Sequence, residues 1–320
     1  MAATPPSDPY FSIVVPVFNE EGNLEELHRR LRATLEGLGK TYEIVFVDDG
    51  SSDGSYARIT DLHEGDPNVR AIRFSRNFGH HIAITAGMDA AQGQCVCLMD
   101  ADLQDQPEEI PKLHAKLVEG YDVVYGVRQN KKHSLFKRIS SRLFLLVMNA
   151  IVAEGRSINT HIFRLARRRV VAAVNACREH ARFIVGLVSW VGFRQVGIPV
   201  EHGKRFAGET KYSLWKMIRL ATTSMTAFSL VPLQLASYLG FAVSISSVAF
   251  GVYLIVKKFV LNTAVEGWTS MMVSMFFLGG AQLLCLGILG AYVGRIYVEG
   301  QNRPLYIVAE RVGFRDDAAV

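Results

Sequence analysis

Two long uncharged stretches constrain the fold of this 320-residue chain more than any other feature. No charged residue occurs at positions 220–256, and none occurs at positions 267–294. Each stretch exceeds the roughly 20 apolar residues that cross the hydrocarbon core of a bilayer. Because core helices of soluble proteins seldom stay uncharged for so long, the pattern predicts two transmembrane helices within 228–298.

The charges around these stretches predict an orientation. The segment between them is short, so the two helices form a hairpin with both flanks on one side of the membrane. Basic residues are more numerous in the flanks than in the hairpin loop, and they favour the cytoplasmic side. These flanking residues are Lys204, Arg205, Lys211, Lys216, Arg219, Arg295, Arg303, Arg311 and Arg315. We therefore expect a multi-pass protein whose larger part and tail, 299–320, are cytoplasmic. The polar, Pro-rich residues 1–10 predict a disordered leader and not a signal peptide.

The chain before the hairpin alternates between strand-type and helix-type segments. Apolar runs at 11–17, 42–47, 69–74 and 122–125, and a run that ends at Asp100, are each separated by a helical pattern. This alternation predicts an α/β domain at 11–200, with a mostly parallel sheet and helices on both faces. Ligands bind such sheets beyond the carboxyl ends of the strands.

Asp100 and Asp102 follow one of these runs directly. Carboxylates at positions i and i+2 of extended backbone share a face, and they can bind one Mg²⁺ or Mn²⁺ that keeps open positions for diphosphate oxygens. A solvated acidic turn is the alternative, because this pattern is common. Polar residues at the other strand ends favour the metal site, and they include Asn19, Asp48, Asp49 and Arg76.

Several classes of function are disfavoured. The chain has no G-x-G-x-x-G after its first strand and no G-x-x-x-x-G-K-[ST], which argues against a nicotinamide enzyme and a P-loop ATPase. Basic residues cluster at 128–142 and 164–182, and beside membrane helices they indicate anionic lipid or phosphorylated substrates, not nucleic acid. The four cysteines form no metal or disulfide pattern, and we expect them to be buried apolar residues.

The sequence predicts an amphipathic helix and a mobile loop in two further segments. At about 134–152, apolar residues recur on one helical face opposite basic residues, as in helices that lie in the bilayer interface. A core-facing helix with a solvated basic side is the alternative, although the nearby hairpin favours the interface. Residues 201–227 are predicted to form a mobile loop and a juxtamembrane helix.

Four motifs occur in order: P-V-F-N-E-E-G-N at 16–23, V-D-D-G-S-S-D at 47–53, R-N-F-G at 76–79 and D-A-D-L-Q-D at 100–105. They resemble the GT-A domain of family 2 glycosyltransferases. The most similar subgroup transfers a sugar to a polyprenyl phosphate and includes dolichyl-phosphate mannose synthases and bacterial undecaprenyl-phosphate glucosyl and aminoarabinosyl transferases. The resemblance covers roughly 11–297 and implies a bacterial inner-membrane enzyme.

The resemblance also implies roles for individual residues. A Mg²⁺ or Mn²⁺ ion held by Asp100, Asp102 and Gln104 would neutralise the leaving diphosphate of a nucleotide sugar. Arg128 and Arg142 match positions that hold the lipid phosphate, so the catalytic set is Asp100, Asp102 and Arg128; contact with lipid headgroups only is the alternative for the two arginines. Arg205 and Lys211 would lie on the mobile loop over the diphosphate. The nucleotide pocket would be lined by Pro16, Asn19, Glu20, Asp49 and Arg76.

One position departs from the family pattern. Many relatives read Gly-Asp-Phe-Arg-Leu where this chain reads H-I-F-R-L at 161–165, so Ile162 replaces an Asp that is sometimes assigned as the catalytic base. A lipid phosphate is already anionic near neutral pH, with a second pKa of about 6, and needs little proton removal. Asn159 or His161 could position the acceptor instead, or serve the structure alone.

Three functions follow from the sequence. The first is inverting, metal-dependent transfer of one sugar, from UDP-glucose or a similar donor, to undecaprenyl phosphate. The second is a processive polysaccharide synthase, although its Q-x-x-R-W motif is absent from the sequence. The third is a membrane assembly subunit with a decayed site, which only Ile162 supports. The resemblance implies a homotetramer, but small residues such as Gly287 and Gly290 would equally serve packing within one hairpin.

Overall fold

The computed structural model describes residues 9–128, 161–203, 231–260 and 267–314. Contacts divide the chain into an α/β unit, Met1–Tyr212 with Pro304–Val320, and a helical unit, Ser213–Arg303. The predicted α/β class is confirmed. The helix predicted at about 134–152 lies outside the described residues, as do the leader up to residue 8 and the loop and helix from residue 204 to 227.

The α/β unit alternates strands and helices as the sequence predicts. Its elements are β1 (Phe11–Val17), α1 (Glu21–Gly37), β2 (Tyr42–Asp48), α2 (Ser55–Gly65), β3 (Val69–Phe74), α3 (His80–Ala90), β4 (Cys95–Leu98), a 3₁₀ turn (Pro107–Glu109), α4 (Ile110–Val118), β5 (Val123–Arg128), β6 (Arg164–Arg167), α5 (Arg168–Ala176), α6 (Ile184–Trp190), β7 (Gln195–Val200) and β8 (Val308–Val312). β4 ends at Leu98, so Asp100 lies in the following loop and not on the strand.

The strands form one mixed sheet in the order β7-β5-β6-β4-β1-β2-β3-β8. β1 is parallel to both β2 and β4, and β2 is parallel to β3. β6 is antiparallel to β4 and to β5, and β5 is parallel to β7. The carboxyl ends of β1 to β5 and of β7 therefore meet at one edge, which we call the carboxyl edge.

The sheet opens between β1 and β4 at this edge. Their pairing ends at Val14 and Leu98, where the Met99 N–H donates to the Val14 carbonyl at 3.1 Å. In a strand, the backbone groups of alternate residues face the same neighbouring strand. Pro16 lies two residues after Val14, so the side of Pro16 that lacks an N–H faces the gap beyond the end of β4. The strand order also reverses here, since β2 lies on one side of β1 and β4 on the other. Such a reversal is where open α/β sheets bind ligands.

Apolar side chains on both faces of the sheet form the core. Buried leucines recur along one side of α1, at Leu24, Leu27, Leu31 and Leu35, and pack on one face. α3, α5 and α6 cover the other face, where Val14 lies in the cluster. Burying each such side chain stabilises the fold by about 1.5–3 kcal/mol. Cysteine burial is confirmed for Cys95 and Cys97, whereas Cys177 and Cys285 are only half-buried.

The two ends of the α/β unit are ordered beyond what the sequence predicted. The Tyr10 N–H, within the predicted leader, donates to the Thr41 carbonyl at 2.9 Å. Beyond the hairpin, where the sequence predicted a tail, β8 pairs antiparallel with β3. Tyr306 stacks on Phe74 at 5.1 Å between ring centroids, and its hydroxyl donates to Asp89 Oδ2 at 3.0 Å. The chain thus leaves the α/β unit and returns to complete its sheet.

The helical unit contains two long helices, α7 (Val231–Val260) and α8 (Trp268–Gly300). Stretches of 22 and 31 residues, Leu233–Leu254 and Ser270–Gly300, are apolar and long enough to cross a membrane. Large apolar side chains on these helices are exposed, for example Phe241 at 69%, Phe276 at 78% and Leu283 at 71%. A helix pair with apolar side chains on its outside suits a hydrocarbon surrounding better than water.

Candidate active site

A cleft of about 150 Å³ lies at the carboxyl edge, between the end of β1, the end of β2 and the first turn of α3. Its lining includes Pro16, Phe18, Asp49, Asn77 and His80. Pro16 and Asp49 were predicted to line a nucleotide pocket, and the structure brings them together in this cleft. Its walls combine apolar rings with a carboxylate and an amide, a combination that suits a polar aromatic ligand.

Asn19 and Glu20 join the loop after β1 to the loop after β2. Asn19 has a left-handed φ of 55°, which Asn tolerates better than most residues. Its N–H donates to Ser51 Oγ at 3.0 Å, and its Oδ1 accepts the Ser52 N–H at 2.9 Å. The Glu20 N–H donates to Ser55 Oγ at 3.0 Å. Both residues therefore brace the carboxyl edge beside the cleft.

Asp49 holds the start of α3. It is 3% exposed, and its carboxylate accepts the N–H groups of Phe78 at 2.7 Å and Gly79 at 3.0 Å. This carboxylate satisfies two backbone donors in the turn just before α3, which begins at His80. Burial raises the pKa of Asp49, and the two N–H bonds work against this rise. The predicted nucleotide residue is thus also a structural one.

Gly50 lets the loop after β2 approach the segment before α3. Its φ is +70°, and a Cβ added to it would lie 2.6 Å from the backbone carbonyl carbon of Arg76. Arg76 itself is exposed and directly precedes Asn77 of the cleft lining. Its guanidinium lies 4.0 Å from the centre of the Phe78 ring, and its Nη1 donates to the Asn77 carbonyl at 3.0 Å. A cation held over a ring in this way is oriented before any ligand arrives.

The acidic loop, 100–105, follows β4 at the same edge. Asp102 Oδ1 accepts the Gln104 N–H at 3.1 Å, which closes a turn around Leu103. Leu103 has a φ of 59°, a left-handed conformation that costs a non-glycine residue about 1–3 kcal/mol and is often found at functional sites. The Gln104 carbonyl accepts the Gly203 N–H at 2.8 Å, so the chain after β7 holds this loop from the other side.

His80 connects the cleft with the acidic loop, and the sequence analysis missed it. Its Nε2 lies 3.4 Å from Asp100 Oδ1, and its ring lines the cleft. Desolvation lowers the pKa of His80, although the Asp49 and Asp102 carboxylates oppose this. The pattern that could have revealed it is its position directly after R-N-F-G, at the start of a helix that faces two strand ends.

The donor set at the acidic loop fits a divalent cation. Within the described ranges, no group of three or more His, Cys, Asp or Glu side chains could hold a metal ion. Mg²⁺ in nucleotide sites, however, takes one or two carboxylates and completes its shell with water and phosphate oxygens. Asp100 and Asp102 match this smaller set, and Gln104 lies in the same loop, where its backbone N–H donates to Asp102.

Other predicted residues lie only partly within the described structure. Arg128 is the last residue of β5, paired in register with Val200 at the carboxyl edge. Its side chain lies outside the described residues, as do Arg142, Arg205 and Lys211. Ile162, where the resemblance implied an Asp, packs among apolar residues with Phe183 and Val185.

The backbone around Ile162 is held by Arg164. This side chain is 2% exposed, and its guanidinium donates to the carbonyls of His161 and Ile162. Burial lowers the pKa of Arg164 to about 10. The described segment 161–163 therefore offers backbone and an imidazole near the carboxyl edge, without a carboxylate at position 162.

Fold and site together define a glycosyltransferase with a GT-A fold. The family model described as Glycosyl transferase family 2 matches residues 12–177, more than half of the chain. The chain belongs to this family and is a glycosyltransferase, as the resemblance predicted.

Two relatives can be aligned with nearly the whole chain. An uncharacterized glycosyltransferase of Synechocystis sp. is 42% identical over 303 residues, which cover 94% of this chain and 95% of that protein. An undecaprenyl-phosphate 4-deoxy-4-formamido-L-arabinose transferase of Klebsiella pneumoniae is 38% identical over 300 residues, 93% of this chain and 92% of that protein.

A solved structure confirms the fold. Glucosyl-3-phosphoglycerate synthase from Mycobacterium tuberculosis, in complex with Mn²⁺, UDP and phosphoglyceric acid, matches with a TM-score of 0.50 at 18% identity. The match covers 68% of this chain and 76% of that one. At this identity the likeness concerns the fold alone.

Proposed function

We propose that the protein transfers one sugar from a nucleotide sugar to undecaprenyl phosphate, with inversion at the anomeric carbon. The observation that carries the proposal is the meeting of the cleft and the acidic loop, where His80 Nε2 lies 3.4 Å from Asp100 Oδ1. The Klebsiella relative supports the acceptor, since its name specifies undecaprenyl phosphate. UDP-glucose is the first donor to test, and the formamidoarabinose donor of that relative is the second.

The cleft is the proposed seat of the nucleotide. Pro16 and Phe18 offer apolar contact to a base, and the Asp49 carboxylate can accept an N–H from it. Arg76, already oriented over Phe78, stands at the rim where a positive charge would meet the nucleotide. Asn19 and Glu20 would act from the loop they brace. A UDP donor is favoured over GDP by similarity to the bacterial undecaprenyl-phosphate transferases.

The acidic loop is the proposed metal site. Asp100, Asp102 and Gln104 would hold Mg²⁺ or Mn²⁺, which supplies positive charge that stabilises the departing diphosphate. The diphosphate leaves with the electron pair of the broken C–O bond, while a lipid phosphate oxygen donates its own pair to form the new C–O bond. The phosphate carries negative charge at neutral pH, so the reaction proceeds with Ile162 in place of a carboxylate base.

Basic residues near the same edge would hold the lipid phosphate. Arg128 ends β5 at the carboxyl edge, and Arg142 follows in the basic segment of the sequence. Paired guanidiniums bind phosphate by bidentate, charge-assisted hydrogen bonds. Arg205 and Lys211 would contact the donor diphosphate from the loop after β7, which begins where Gly203 bonds to Gln104.

The protein is proposed to work at the cytoplasmic face of the bacterial inner membrane. The chain leaves the α/β unit before α7 and returns to its sheet as β8 after α8, so an even number of crossings separates the two. Two membrane-length helices meet this condition. The basic flanks favour the cytoplasmic side. The homotetramer implied by the resemblance stays a prediction.

The test is a transfer assay with the purified full chain in detergent. The chain is mixed with undecaprenyl phosphate, Mn²⁺ and, in turn, UDP-glucose, UDP-N-acetylglucosamine, GDP-mannose and UDP-4-deoxy-4-formamido-L-arabinose. We expect one donor to give a lipid that carries a single sugar. Asp102→Ala should give none, whereas Asp61→Ala, an exposed acid on α2, should match the wild type.

Three results would contradict the proposal. Several sugars per lipid would indicate a processive synthase. Binding of UDP and Mn²⁺ without product from any donor would indicate a decayed site. Full turnover of Asp102→Ala would show that the metal site is assigned to the wrong residues.

A further inference from the structure

His80 is placed by a part of the fold that does not depend on the acidic loop. It is the first residue of α3, and the turn before it is held by two hydrogen bonds to Asp49. The side chain of His80 is 46% exposed, so it contributes little to the core. Its ring projects from a fixed helix start towards Asp100, with Nε2 3.4 Å from Oδ1.

The second carboxylate of the acidic loop has an orienting donor of its own. The Gln104 N–H donates to Asp102 Oδ1 at 3.1 Å, and the left-handed Leu103 holds this turn. A carboxylate that binds a metal is usually hydrogen-bonded by a neighbouring group, which restricts its rotation and raises metal affinity. The imidazole of His80 lies where it can act as such a donor to Asp100.

The contact between His80 and Asp100 is slightly longer than an N–H···O hydrogen bond of 2.7–3.2 Å. A small rotation of the exposed His80 ring or of the half-buried Asp100 side chain closes this gap. A neutral imidazole can donate from only one ring nitrogen, and a carboxylate can only accept, so Nε2 must carry the proton for this bond. Asp100 then keeps its other oxygen for the cation.

We propose that His80 is a positioning residue for Asp100, whose carboxylate it orients for binding a divalent cation together with the donor diphosphate. This inference rests on the proposed function and names a residue that couples the nucleotide cleft to the metal site. The start of α3 thus serves both halves of the site: Asp49 fixes the turn, and the fixed turn aims His80.

Two substitutions distinguish the effect of the hydrogen-bond donor of His80 from the effect of its ring volume. His80→Gln places an amide nitrogen near the position of Nε2 and keeps a donor. His80→Leu removes the donor at similar volume. The matched control is His114→Leu, because His114 packs against Phe11 at the first residue of β1, on the opposite edge of the sheet.

The measurement is Mn²⁺ affinity in the presence of UDP, by electron paramagnetic resonance on the purified full chain. Loss of such an orienting partner typically weakens metal binding 10–100-fold, and we expect this for His80→Leu. His80→Gln should stay within a few-fold of wild type, and His114→Leu should equal it. In the transfer assay, saturating Mn²⁺ should restore the kcat of His80→Leu, because the loss lies in metal binding.

The outcomes distinguish this inference from the proposed function. If His80→Leu binds Mn²⁺ like the wild type while Asp102→Ala does not, the inference is wrong and the proposed metal site stands. If Asp102→Ala also binds normally, both are wrong. If His80→Gln is as weak as His80→Leu, a donor at Nε2 is not what orients Asp100, and the inference is overturned.

Discussion

Two acidic loops at the carboxyl edge use the same residue type in opposite ways. Residues 48–53 follow β2, residues 100–105 follow β4, and each loop carries three Asp residues. In the first loop, Asp48 and Asp49 are at most 3% exposed and accept backbone N–H groups of Ser51, Phe78 and Gly79. In the second loop, Asp100 and Asp102 are partly exposed and stand beside His80 and Gln104.

The difference shows that partners, and not residue type, decide what a carboxylate does. Buried carboxylates that accept backbone N–H groups stabilise turns and helix starts, and they are committed to the fold. Partly exposed ones at the same edge can still meet a cation or a substrate. Asp105 shows that the rule applies within one loop, because it is 5% exposed and lies 3.5 Å from His202 Nδ1.

The largest expected effect concerns the second loop. Asp102→Asn should lower transfer activity by about three orders of magnitude, or roughly 4 kcal/mol of barrier, because the charge that holds the cation is lost. The unfolding free energy should change by less than about 0.5 kcal/mol, because the side chain is only partly buried and the Asn carbonyl oxygen can still accept the Gln104 N–H. Steady-state kinetics and denaturant titration check both. A large loss of stability would break the comparison, since it would make Asp102 structural.

A substitution in the first loop should lower the stability of the fold. Gly50→Ala places a Cβ 2.6 Å from the Arg76 backbone at a φ of +70°, so we expect a loss of about 3 kcal/mol in unfolding free energy from strain and overlap. Gly37→Ala is the matched control, because a Cβ there meets nothing within 4 Å. Equal stability of the two variants in denaturant titration would mean that the loop after β2 is not packed as described.

Two neighbouring histidines on α3 extend the comparison, because His80 faces the acidic loop while His81 packs edge-on against Phe183. Burial lowers the pKa of His81 to about 4, aided by the positive charges of His80, Arg164 and Arg182. The unfolded state therefore binds a proton that the folded state lacks as the pH falls from about 6.5 to 4.

This difference predicts a pH-dependent stability. The chain should lose up to about 3 kcal/mol of unfolding free energy between pH 6.5 and 4 through His81, at about 1.4 kcal/mol per pKa unit. Above pH 6.5, the contribution of His81 to the unfolding free energy is constant. His81→Leu should flatten this part of the profile in denaturant titrations at stepped pH. A slope unchanged by the substitution would show that His81 is not buried in the neutral form.

The smallest effect concerns Asp49, which lines the cleft and also accepts backbone N–H groups. Asp49→Asn keeps one acceptor for the N–H groups of Phe78 and Gly79 and should cost about 1 kcal/mol of stability. Asp61→Asn, on the exposed side of α2, should cost nothing measurable. If Asp49→Asn reduced UDP binding without any loss of stability, the first loop would belong to the site and not to the fold, and the comparison would fail.

Much of this arrangement could be predicted from the sequence. Fully buried strands such as β1 and β2 appear as continuous apolar runs, and the leucine spacing of α1 marks its core face. The polar residues at strand ends could be identified because each of them directly follows such an apolar run. β8 was missed because it is short and half-exposed, and its partner, β3, lies more than 230 residues earlier in the chain. Pairing at such a distance leaves no local pattern.

The sequence alone indicated the class of protein, through the resemblance that its ordered motifs carry. It also determined the order of the elements and the two membrane-length helices, because hydrophobic period and charge are local properties. It also placed Asp100 and Asp102 just beyond a strand. Only the tertiary structure decided which acids are committed to backbone N–H groups and which remain accessible, and only it brought His80 to Asp100. Those contacts join loops that are distant in the chain, and they arise when the strands pair and the sheet opens between β1 and β4.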